Sequence, residues 1–329
     1  MLYKYSRFVV GCTILLILAG SFVTSTDSGL SVPDWPTTYG WNMFTFPLSR
    51  MVGGIFYEHG HRLIASAVGV LTIGLAVWLW LADRRRWMRW LGVAALGAIV
   101  AQGVLGGLTV LFFLPPAVST AHAGLAEIFF CITVAIAVCT SPSWNAAASP
   151  VDDSRLRSIA TLTTSVIYAQ ILIGAVMRHT GAGLAIPDFP WMFGHVVPDH
   201  WSTRIAVHFA HRTGALVAAI AVLSTAAYIW RRHTDRVELA NPALKLVILT
   251  VFQVTLGALT VLTHRQVWIN SLHVVCGALV LTTSLVITLR SWQVKIADCG
   301  LRTADSPLPG SESIRIPQSP IRNPETGRA

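Results

Sequence analysis

Thr26–Pro36 reads TDSGLSVPDWP, and Thr180–Pro190 reads TGAGLAIPDFP. Thr, Gly, Leu, Pro, Asp and the closing Pro recur in register, and Trp35 is matched by Phe189. Further along, AQGVLGGLTV from Ala101 matches FQVTLGALTV from Phe252, which sets Gln102 beside Gln253. The matches share offsets of 151 to 154 residues, so they predict a duplicated unit. Apolar segments can resemble one another by composition alone, but a GLxxPDxP pattern in a polar loop cannot be explained that way.

Around these loops the chain is apolar. Of 329 residues, 53% are hydrophobic and 12% charged, whereas soluble domains are about a quarter charged. Eight stretches of spanning length follow one another: Phe8–Val23, Leu63–Ala82, Trp90–Phe112, Ala117–Cys139, Ile159–Met177, Ile205–Trp230, Leu244–Thr263 and Trp268–Leu289. The first is expected to remain as a span rather than be cleaved as a signal peptide. The expected fold is an all-α membrane protein with eight transmembrane helices, arranged as two tandem pseudo-symmetric four-helix bundles. Four helices per copy is an even number, so both copies enter the membrane the same way and the repeat is parallel. Residues 1–140 form the first bundle, 141–157 a cytoplasmic linker and 158–292 the second bundle. The polar residues 293–329 read as a disordered cytoplasmic tail.

The net charge of +9 is a topology signal and not a nucleic-acid footprint. Lys4, Arg7, Arg84, Arg85, Arg86, Arg89, Arg155, Arg157, Arg231, Arg232, Arg236 and Lys245 all fall on one side, together with the basic residues of the tail. By the positive-inside rule both termini are expected in the cytoplasm. None of the five cysteines falls in an outer loop, so no disulfide is expected, and no CxxCH motif exists for covalent haem attachment. The loops 24–62 and 178–204 face outward and are long and rich in aromatics, as interfacial segments or lids are.

Four histidines recur with the repeat. His61 and His122 in the first copy correspond to His211 and His273 in the second. Each begins an apolar stretch of even rank, so all four share one depth near the outer face. An imidazole from each of two facing helices is how a helical bundle grips a haem; interfacial hydrogen bonding would explain one such histidine but not four in register. Zinc is a weaker alternative, because each half offers few further ligands. His59, two residues from His61, is expected to be interfacial. Glu58 precedes His61 by three residues, whereas the second copy has His208 at that position. A carboxylate there could serve as a proton acceptor, or simply favour the start of a helix. Arg62 and Arg212 follow the two ligands and suit either haem propionates or headgroup anchoring. Asp34 and Asp188 read as turn-formers.

Taken together, Glu58–Arg62 (Glu-x-x-His-Arg), the twin loops, His122, His211 and His273 resemble the haem A synthase family over residues 8–290. The resemblance implies an enzyme that oxidises the C8 methyl group of haem O to a formyl group by two hydroxylations, the gem-diol then losing water to give haem A. It also implies that His61 and His122 flank the substrate iron, with Glu58 as the catalytic carboxylate. His211 and His273 would ligate a haem b that passes electrons. Haem O synthase would be the haem donor and cytochrome oxidase assembly proteins the acceptors; a homo-oligomer is also compatible. Many bacterial relatives carry a cysteine pair in the first outer loop, where this chain has Val32, Thr37 and Thr38, so a thiol role for that loop does not carry over. The alternative is a dihaem bis-histidine cytochrome that only transfers electrons and has no need of Glu58. A transporter or haem carrier fits less well, since the repeat is parallel.

Overall fold

The computed structural model describes residues 1–145, 151–293 and 296. The long helices among them are α1 (Leu2–Ser25), α2 (Gly54–Ala82), α3 (Arg86–Leu111), α4 (Pro116–Cys139), α5 (Ser154–His179), α6 (Thr203–Arg232), α7 (Val237–Leu262) and α8 (Val267–Ser291). All eight are long and apolar enough to cross a membrane. Each contains one of the eight expected stretches almost entirely. Most run several residues beyond it, because the helical ladder continues into polar residues once the apolar core has set its direction. Most of the expected tail, including Cys299, lies outside the described residues.

The helix starts follow local chemistry. Asp153 accepts the Leu156 N–H at 3.0 Å to cap α5, Ser202 accepts the Ile205 N–H to cap α6, and Gln266 accepts the Ile269 N–H to cap α8. Pro116 opens α4, where a missing N–H costs nothing. Gly53, at φ 57°, turns the chain into α2. That start, nine residues ahead of the apolar stretch, brings Glu58, His61 and Arg62 inside the helix.

Burial is inverted relative to a water-soluble bundle. Large aliphatics such as Val70, Ile73, Leu81, Leu216, Ile220 and Val251 face outward, while Ser6, Thr13, Thr72, Thr133, Thr163 and Thr225 are buried. Buried hydroxyls bridge helices: Thr163 to Thr225 at 2.8 Å, and Thr164 to both Ser284 and Thr288 at 2.8 Å. In lipid such bonds contribute roughly 0.6 kcal/mol each. Two apolar cores result. One draws on α1–α4, with Leu75, Leu79, Phe129 and Ile136, and the other on α5–α8, with Leu156, Ile229, Leu246 and Leu281. Helix α1 packs on α2 and α4, and α3 packs on α2 and α4; α5 to α8 pack on one another in the same order. Contacts of α1 with α8, α4 with α5 and α4 with α8 join the two sets.

The two long connections, 26–53 and 180–202, lie at the same end of the helices, called here the loop end. Their shared sequence produces shared geometry. Trp35–Pro36 and Phe189–Pro190 are both cis, and Tyr39–Gly40 and Phe193–Gly194 are both left-handed. Asp34 accepts the N–H groups of Tyr39 (2.7 Å) and Gly40 (2.9 Å), and Asp188 accepts those of Phe193 and Gly194 (both 2.9 Å). An aromatic residue rarely adopts positive φ, and these hydrogen bonds hold it there. Burial would raise both carboxyls, but the amides they accept outweigh it and keep each below its ordinary range. Both aspartates are the turn-formers their position implied.

Candidate functional site

Each of the four histidines stands on a helix beginning at the loop end and turns its ring against a glycine of a neighbouring helix. A Cβ on Gly20 (α1) would come within 2.9 Å of His61 Cε1, and one on Gly106 (α3) within 3.2 Å of His122 Cε1. In the second set, Gly174 (α5) faces His211 Cε1 at 2.8 Å and Gly257 (α7) faces His273 Cε1 at 3.0 Å. Contacts under about 3 Å leave no room for a methyl group, so Gly20 and Gly174 set how deeply His61 and His211 sit, while Gly106 and Gly257 leave His122 and His273 slightly more room. His61 and His122 are close enough to interact electrostatically, as are His211 and His273.

Glutamines accompany the rings. Gln102 donates to the His122 carbonyl at 3.0 Å, and Gln170 donates to the His211 carbonyl at 2.7 Å and lies 3.0 Å from its Nδ1. Gln253 supplies its backbone carbonyl to His273 Nδ1 at 3.2 Å. Yet His61 Nδ1, His122 Nδ1 and the Oε1 atoms of all three glutamines are buried without a partner. Buried polar atoms are normally satisfied, and a free lone pair on a buried imidazole nitrogen is what a haem iron would take.

Among the described residues no three His, Cys, Asp or Glu side chains converge to hold a bare metal ion. A haem fits better, because it brings four nitrogens of its own and asks the protein for only two axial imidazoles.

Glu58, buried at 3% exposure, lies one turn before His61. Its Oε2 accepts the Val32 N–H at 2.8 Å, and its Oε1 pairs with Arg62 Nη2 at 2.7 Å. Arg62 also donates to the carbonyls of Val32, Asp34 and Thr37. A carboxylate and a guanidinium thus clamp the GLSVPDWP loop over the start of α2. In the second copy, Ile186 N–H points at His208 Nδ1 (3.2 Å) and Arg212 Nε at His208 Nε2 (3.1 Å). Arg212 in turn donates to the carbonyls of Ile186, Asp188 and Trp191. Four of the five N–H donors of each arginine are therefore engaged within the protein.

His59 departs from expectation. It is 1% exposed, with Nδ1 3.0 Å from Thr38 Oγ1 and its ring against Phe46. The 26–53 connection folds back over the helix start and covers a face that helical periodicity alone assigned to the interface.

With this geometry in place, comparison decides the family. The COX15-CtaA family, described as cytochrome oxidase assembly protein, matches residues 3–285. The chain belongs to the COX15-CtaA family. Similar members named haem A synthase include one from Shouchella clausii, 29% identical over 77% of this chain and 84% of that protein. Another, from Symbiobacterium thermophilum, is 29% identical over 79% and 85%. One from Shewanella oneidensis is 27% identical over 87% of this chain and 95% of that protein.

Several residues of this COX15-CtaA member escaped sequence reading. Gly106 and Gly257 stand inside the matched AQGVLGGLTV and FQVTLGALTV segments, so the repeat contained their signal. Gly20 and Gly174 share an offset of 154 but sit in segments with little other likeness. Gln170 has Leu16 as its counterpart, so no repeat could mark it. Glu127 of α4 is buried with Oε2 unpartnered, and its counterpart is Ala278.

Proposed function

We propose that this protein is a haem A synthase that oxidises the C8 methyl group of haem O to a formyl group, yielding haem A. The observation that carries the reading is the inequality of two otherwise matching histidine pairs: a buried carboxylate lies one turn from His61, and an imidazole holds the same place beside His211. Family membership and the names of the relatives point the same way. In this reading the chain forms two tandem four-helix bundles, residues 1–140 and 158–292, related by a pseudo-twofold axis. Exchanging α1–α4 with α5–α8 leaves the pattern of helix contacts unchanged, which supports the arrangement.

His61 and His122 hold the substrate haem O at its iron. Glu58 takes a proton as the methyl carbon is oxidised, or balances positive charge developing there. Val32 N–H and Arg62 fix the carboxylate's direction, and the loop they clamp keeps bulk water from the reacting methyl group. Two hydroxylations, each adding an oxygen from water to the carbon and giving up two protons and two electrons to an acceptor outside the chain, yield a gem-diol, which loses water to leave the formyl group. His211 and His273 ligate a haem b, which when bound supplies one-electron transfer. Paired, two-donor binding of a propionate by Arg62 or Arg212 would require loop contacts to break, so this reading gives those arginines to the loops. The charge bias supports a topology with both termini in the cytoplasm and the haem sites toward the outer face. A haem O-producing enzyme would deliver the substrate, and oxidase assembly partners would receive the product.

The test is the haem content of the purified protein by pyridine haemochrome and chromatography. Haem b together with haem O or haem A is expected. Haem b alone would favour an electron-transfer cytochrome, and a colourless protein would overturn both readings.

A further inference from the structure

Arg178 closes α5 at the loop end, and its side chain turns toward the first set of helices. Nη1 donates to Thr24 Oγ1 at 2.6 Å, and Thr24 is the residue that occupies the place of Arg178 in the first copy. A guanidinium carries five N–H donors. Among the described residues no carboxylate lies within ion-pair distance of this one. The charged group it feels is Arg265, of like sign, and Arg265 itself reaches only the exposed Asp27 at 3.6 Å.

The position is central. Arg178 lies one helical turn beyond Gly174, the glycine of the same helix that faces the His211 ring. Two adjacent, partly buried cations without an adequate counter-charge are costly. A terminal arginine could instead favour the end of the helix dipole or reach for lipid headgroups. The hydrogen bond to α1 argues against the headgroups, because it directs the guanidinium into the junction between the two sets of helices.

The group that would complete this arrangement is a carboxylate arriving with the ligand. Haem carries two propionates, and a guanidinium binds a carboxylate through paired, charge-assisted N–H···O bonds. We propose that Arg178, with Arg265 beside it, binds a propionate of the haem held by His211 and His273. The inference rests on the haem reading above and deepens it. It moves the propionate role from Arg62 and Arg212, each with four of five donors engaged within the protein, to Arg178, which has no carboxylate partner among the described residues, with Arg265 beside it.

The pair belongs to one copy only. The counterparts of Arg178 and Arg265 are Thr24 and Leu114, although Leu114 and Arg265 share the same left-handed turn. A resident haem gains an extra anchor, while a haem that must leave as product lacks one. The asymmetry suits a cofactor on one side and a substrate on the other.

The test uses the full-length protein purified in detergent, with two readouts: the rate of haem b transfer to excess apomyoglobin, and the midpoint potential of the low-spin haem. Arg178→Gln should release haem b roughly tenfold faster and lower its potential, since a positive charge beside the iron's ligand is lost. Arg178→Lys should keep most of the potential and recover only part of the retention, because a point charge replaces a fork. Arg84→Gln, at the other end of the helices, should match the parent protein. If Arg178→Gln and Arg178→Lys both retain the parental release rate and potential, the inference is overturned while the haem reading stands. If the parent protein shows no bis-imidazole low-spin spectrum, both fall, and that is seen before any variant is compared. Thr24→Val covers the case of a misfolded Arg178→Gln: it removes the side chain's protein partner and should leave the potential near the parental value. A large fall in potential in Thr24→Val would make Thr24, and not a propionate, the group that matters.

Discussion

Glu58 and His208 hold the same place in two copies of one motif. Each faces the N–H of the residue before the Pro-Asp turn, Val32 at 2.8 Å and Ile186 at 3.2 Å, and each meets the arginine four residues on. The carboxylate answers both donors. A neutral imidazole has one in-plane lone pair and can accept only one of them, so the second copy holds its loop with a less complete hydrogen-bond set. His208→Glu should therefore raise thermal stability, by about 1 kcal/mol for the added acceptor. A fall in Tm would mean that the two slots are not equivalent.

The glycines set ring depth. A methyl group on Gly174 would lie 2.8 Å from His211 Cε1, closer than carbon atoms approach, so Gly174→Ala should displace His211. The low-spin haem signal of the purified protein should fall to a small fraction of the parental value. Gly183→Ala, which meets nothing within 4 Å, should leave it intact. Equal spectra for the two variants would contradict the cradle.

The two histidine pairs should fail separately. His211→Ala or His273→Ala should remove haem b and leave haem O extractable from the protein, whereas His61→Ala or His122→Ala should do the reverse. Chromatography of extracted haem checks this, and loss of both haems from every variant would contradict two independent sites.

Stability should depend on acid through Asp153, which caps α5 and also binds Tyr228 Oη and His233 Nε2, each at 2.9 Å. Burial alone would raise its carboxyl. The Leu156 N–H, His233, Tyr228 and the Arg155 N–H outweigh that and bring it from 3.8 to about 2. With the folded value depressed, the stabilisation is complete above the ordinary 3.8 and drains as pH falls toward 2. Asp153→Asn should be less stable than the parent at neutral pH, and the two Tm curves should converge in that acid window. Parallel curves would contradict this.

The fold was legible because its strongest signals are redundant: eight apolar stretches give eight helices, and the PDxP loops give two matching turns down to the left-handed Tyr39 and Phe193. The recurrence of the four histidines was legible for the same reason. What the sequence concealed depends on long-range folding. His59 is buried because a connection folds back over it, which no helical period records. Arg62 and Arg212 carry the charge a propionate wants, but three donors of each are taken by loop carbonyls that lie 21 to 30 residues away in the chain. Gln170 and Arg178 have no like counterpart in the first copy, so the repeat that exposed everything else was silent about them.

The central claim is that Glu58 performs chemistry at the His61/His122 site, beyond holding the loop. Its most direct test is the haem composition of purified Glu58→Ala expressed in cells that supply haem O. The account predicts haem b and haem O at parental amounts with haem A lost. A parental yield of haem A from that variant would contradict it.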